Sequence, residues 1–68
     1  MNEDVLNTSV RRYLKKLGIT AQREIEQAVR KAAAEGRLKG TETMKAKATV
    51  TVSGIDLTFE VDGVIETQ

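Results

Sequence analysis

The chain has no cysteine, histidine, tryptophan or proline, and only one Phe and one Tyr. Without Cys or His there is no disulfide framework, no Cys/His zinc site, and no thiolate or imidazole to act as nucleophile or general base. The absence of Pro leaves glycine and short polar residues as the only turn formers. With two aromatic rings and sixteen branched aliphatics among 68 residues, the chain has little with which to build a core. Domains this small usually add a disulfide, a metal or a partner subunit. The first two have no Cys or His to build them, so self-association is expected.

No apolar run approaches the roughly 20 residues of a membrane-spanning helix. The opening Met1-Asn2-Glu3-Asp4 is acidic where a secretory signal is basic and then apolar, which makes a cytoplasmic protein the expectation. Asn7-Thr8-Ser9 matches a glycosylation sequon, but reads as helix surface in a chain without an export signal.

Net charge is +1, yet the charge is segregated. Residues 1–10 carry −2 and residues 48–68 carry −4, while all eleven basic residues lie between Arg11 and Lys47, a segment of net +7. Such asymmetry can mark an interaction surface.

Leu6, Val10, Tyr13, Leu14 and Leu17 recur at helical spacing, with Asn2 as N-cap and Glu3 and Asp4 in the first turn. Tyr13 lies on this stripe and reads as a core or interface residue rather than a catalytic one. Gly18 is the cheapest left-handed stop, Ile19 and Leu14 would make its hydrophobic contact, and Lys15 and Lys16 would complement the helix end. These features predict a first helix over about residues 3–17. Thr20 then caps a second helix over about 21–35, with Ala21, Ile25, Ala28, Val29 and Ala32 as its apolar stripe and Glu35-Gly36 as its end. Residues 36–43 read as a connector.

From Met44 the period changes to two. Met44, Ala46, Ala48, Val50 and Val52, then Ile55, Leu57, Phe59 and Val61, alternate with polar residues, which predicts a hairpin over about 44–62. A turn at Ser53-Gly54 would pair Val52 with Ile55 and Ala48 with Phe59, and set Lys47 opposite Glu60 and Lys45 opposite Asp62. The expected fold is therefore α+β in the order ααββ, a single domain with two amphipathic helices packed on one face of a C-terminal antiparallel β-hairpin. A homodimer could join two hairpins through the first strand. A seam centred on Thr49 would set Lys47 opposite Thr51 and avoid the like charges that the second strand would oppose.

Arg11, Arg12, Lys15 and Lys16 form a basic helix face able to contact nucleic-acid phosphate, or simply a solvated helix back. Leu17-Gly18-Ile19-Thr20 resembles the turn of helix-turn-helix DNA-binding motifs. However, Leu14 stands where that motif wants a small residue, Glu24 and Gln27 stand where it wants apolar ones, and a third helix is missing. Gly36 and Gly40 do not have phosphate-loop spacing. Asp56, Glu60, Asp62 and Glu66 read as a surface ion-pairing row rather than a metal site. No cofactor is implied, and the expectation is a non-enzymatic protein-interaction module that self-associates, with nucleic-acid binding by the basic helix face as the alternative.

The opening Met1-Asn2-Glu3-Asp4, the block from Leu17 to Glu26, the Gly36-to-Gly40 connector and the ending Val61-Asp62-Gly63 together resemble a small family of uncharacterised proteobacterial proteins, a domain of unknown function. The resemblance runs over nearly the whole chain. It implies a compact, cytoplasmic bacterial protein and assigns no residue a role.

Overall fold

A computed structural model describes all residues, Met1–Gln68. The elements are one helix, α1 (Glu3–Ala34), and two strands, β1 (Thr43–Val52) and β2 (Leu57–Glu66), so the class is α+β. The chain comprises two units, Met1–Arg37 and Leu38–Gln68.

The expected pair of helices, 3–17 and 21–35, is a single helix of 32 residues. Gly18, Ile19 and Thr20 are helical, Thr20 caps nothing, and Lys15 and Lys16 lie in mid-helix instead of at a C-terminus. Two physical terms favour the continuous helix. A break would leave up to four N–H and four C=O groups without helical partners, whereas an interior Gly costs only about 1 kcal/mol relative to Ala. The two apolar stripes are also in phase, because Leu17 and Ala21 are four residues apart. Continuing the helix therefore leaves the stripe unbroken.

Both true ends carry the chemistry that helix ends need. Asn2 Oδ1 accepts from the backbone N–H of Asp4 (2.9 Å) and Val5 (3.1 Å). At the other end Gly36 adopts φ +79°. The Gly36 N–H donates to the Ala33 carbonyl (3.1 Å) and the Arg37 N–H to the Ala32 carbonyl (2.9 Å), the two bonds of a Schellman stop. No stop forms at Gly18, whereas the one expected at Glu35-Gly36 does, at a glycine that really is left-handed.

β1 and β2 pair antiparallel, with Val52 opposite Leu57, Val50 opposite Phe59, Ala48 opposite Val61 and Lys47 opposite Asp62. The hairpin runs to Glu66 rather than 62, and its register differs by two residues from the one that a Ser53-Gly54 turn would set. A shift of two preserves which side chains share a face, so the apolar face remains as expected. The reason lies in the turn. A two-residue Ser-Gly turn of type I′ would require positive φ at Ser53. The observed loop, Ser53 to Asp56, places positive φ at Gly54 (91°) and Asp56 (53°) instead, and Asp is among the few side-chain-bearing residues that tolerate this region.

Ala32, 8% exposed, is the one buried residue. Leu17, Ala21, Val29, Leu38, Met44, Ala46, Val50 and Ile65 are half-buried.

Candidate interaction surfaces

Three surfaces carry the residues singled out by the sequence, and each is built by a local rule. The first is the basic back of α1. Arg11, Arg12, Lys15 and Lys16 are all exposed, and none of them makes an ion pair. Continuity of the helix adds residues that a break at Gly18 would put on a separate element. At about 100° per residue, Arg12, Lys16, Arg23 and Arg30 fall within roughly 40° of one another, a row about 27 Å long. Between Asp4 and Glu24 there is no acidic residue. At the far end Glu26 accepts from Gln22 Nε2 (3.0 Å) and from Arg30 (3.3 Å). The Gln22 hydrogen bond, aided by the Arg30 charge, holds the Glu26 carboxyl below its ordinary range. Arg30 is therefore compensated, while the cations from Arg11 to Lys16 are not.

The second surface is the apolar stripe of α1. Leu6, Val10, Leu14, Leu17, Ala21, Ile25, Ala28 and Ala32 follow one another in steps of four, four and three. That is an 11-residue repeat of about 3.67 residues per turn, which stays on one side of a nearly straight helix. Leu6, Val10, Tyr13, Leu14 and Ile25 are exposed. The step of four across Gly18 was the signal in the sequence that these residues form one surface instead of two.

The third is the hairpin. Its apolar face holds Val50 with Phe59, Val52 with Leu57, and Ala48 with Val61 as cross-strand pairs, and Val52, Leu57, Phe59 and Val61 are exposed. On the opposite face the candidate dimer edge, Lys47, Thr49 and Thr51, is exposed along β1. Lys47 Nζ lies 2.9 Å from Glu60 Oε2. The expected Lys47–Glu60 pair thus forms as a diagonal contact, with Asp62 directly opposite Lys47. Lys45 faces Val64 rather than Asp62.

One site was not foreseen. The backbone N–H groups of Lys39, Gly40 and Thr41 all donate to the Glu42 carboxylate at 2.9–3.1 Å. Three successive amides turned to one anion form a nest, and Gly40 at φ +91° allows the chain to curl that way. The Lys39 amide, followed by Glu42's own and then those of Thr41 and Gly40, lowers the Glu42 pKa from its ordinary 4.5. The strand ends are joined by the Thr67 hydroxyl, which donates to the Glu42 carbonyl (2.7 Å).

No helix is long and apolar enough to cross a membrane. No curated protein and no solved structure matches the chain. One family profile does match it, over residues 1–68. The chain belongs to this family, a family of unknown function (DUF6494).

Proposed function

We propose that this protein is a non-enzymatic interaction module that acts through protein contacts, including contacts with its own copies. The observation that carries this reading is the exposure of large apolar side chains in ordered rows. Val10, Tyr13 and Leu14 on α1, and Phe59 and Val61 on β2, all stand exposed in a chain with one buried residue. Contiguous apolar surface of this kind marks binding sites. Sedimentation equilibrium from about 1 to 100 μM tests it: reversible association is expected, and a compact monomer throughout that range would overturn self-association.

A second reading is favoured by the uncompensated cations from Arg11 to Lys16 and their continuation to Arg23. Such a row suits nucleic-acid phosphate, and its affinity should fall steeply with salt. Titration of short duplex and single-stranded DNA at two salt concentrations, with the chain and with Arg12→Glu/Lys16→Glu, separates the two readings. Loss of binding in the double variant supports the nucleic-acid route, and unchanged weak binding removes it.

A further inference from the structure

We infer that the apolar stripe of α1 is the surface on which a second copy of the chain docks, with the two helices antiparallel. This inference rests on the self-association reading and specifies its geometry. The stripe is uneven along its length. Its N-terminal half is bulky, with Leu6, Val10, Tyr13, Leu14 and Leu17, while its C-terminal half is small apart from Ile25, with Ala21, Ala28 and Ala32. Two parallel copies would set leucine on leucine at one end and alanine on alanine at the other. Such helices could not keep one separation, and the alanine end would be left with voids. Reversed, the halves interlock. A two-fold axis at residue 19 sets Leu6 against Ala32 of the second copy, Val10 against Ala28, Tyr13 beside Ile25 and Leu17 against Ala21, and each layer occurs twice by symmetry. The Leu6–Ala32, Val10–Ala28 and Leu17–Ala21 layers then pair large with small, while Tyr13 and Ile25 are both bulky, and the 11-residue repeat holds the contact along the helix.

Charge selects the same orientation. Residues 11–16 carry +4, from Arg11, Arg12, Lys15 and Lys16. A parallel pair would set the two +4 segments level with one another along the outer sides of the pair. The antiparallel pair sets each level with residues 22–27, where Arg23, Glu24 and Glu26 sum to −1. Glu24 is the acidic residue that interrupts the stripe's flank, and the reversed pairing sets it level with Leu14 of the second copy, one residue from Tyr13 on the same side. There the tyrosine hydroxyl can donate to the carboxylate.

Because the chain has no cysteine, single labels can be placed cleanly. Ser9→Cys and Gln27→Cys variants of the full chain, each spin-labelled, are examined by pulsed dipolar spectroscopy at a concentration where sedimentation shows the dimer. Ser9 labels lie 20 residues apart along the pair and Gln27 labels 16, so separations of about 30 Å and about 24 Å are expected. A parallel pair places both label pairs side by side, under about 20 Å. A second measurement uses exchange of partners: Val10→Ala and Ala28→Val should each weaken association about tenfold or more, and the double variant should restore most of it. Dimers with any other pair of separations, or without that rescue, overturn the antiparallel interface while leaving self-association intact. Failure to form any dimer overturns both.

Discussion

Gly18 and Gly36 lie in the same helical unit, and replacing each by alanine should move stability in opposite directions. Gly18 is helical and open: a Cβ there meets nothing within 4 Å. Gly18→Ala therefore removes the conformational penalty of an interior glycine, about 0.8–1.0 kcal/mol, without introducing a clash. Gly36 is equally uncrowded, but its φ of +79° is a conformation that side-chain-bearing residues avoid at a cost of about 1–2 kcal/mol. The space around the two glycines is the same, so the difference is purely one of backbone. Thermal unfolding followed by circular dichroism at 222 nm, at one fixed protein concentration, reads both. With about 4–8 °C per kcal/mol for a domain of this size, Gly18→Ala should raise the midpoint by several degrees and Gly36→Ala should lower it by at least as much. If Gly18 were the left-handed end of a short helix, Gly18→Ala would lower the midpoint as Gly36→Ala does. A fall in the midpoint of Gly18→Ala would thus refute the continuous helix and the single stripe built on it.

Asn2→Ala should cost about 1 kcal/mol, read as fraying of the first turn by amide exchange at Asp4 and Val5, because two backbone N–H groups lose their acceptor. Ile55 lies at the tip of the hairpin loop, 68% exposed and outside the ladder, so Ile55→Lys should change stability by less than about 0.5 kcal/mol in urea unfolding. A two-residue turn would put Ile55 in the closing pair and make that substitution costly. Glu42 has a folded-state pKa below its ordinary 4.5. Its contribution is therefore fully present above 4.5 and is lost as pH falls through the lowered value. The amide proton shifts of Lys39, Gly40 and Thr41 should titrate together in that acidic window, and Glu42→Ala should abolish the shared transition.

How much was legible differs from element to element, for reasons that can be located. Asn2 and Gly36 announced the ends of the helix correctly, because caps are local chemistry and the same side chains serve in any context. Gly18-Ile19-Thr20 misled for the same reason. A Gly followed by a Thr is a valid stop and start, and only the cooperative gain of leaving the hydrogen-bond ladder unbroken outweighs it. The cations Arg11 to Lys16 are legible as one face in the sequence, but their continuation to Arg23 and Arg30 is not, since a break at Gly18 would put these on another helix.

The sequence by itself determined the class, the two faces of the hairpin and both helix caps. Period and parity are properties of the chain's order, and a register error of two residues cannot move a side chain to the opposite face. The three-dimensional structure decided what depends on comparing whole conformations. It chose one helix over two, and so one continuous stripe and one continuous basic row. It placed the hairpin turn at Ser53 to Asp56, because Asp56 accepts a positive φ that Ser53 would have had to adopt in the shorter turn. It also closed the Lys39–Thr41 amides around Glu42, an arrangement that depends on the positive φ of Gly40 and has no signature in residue order.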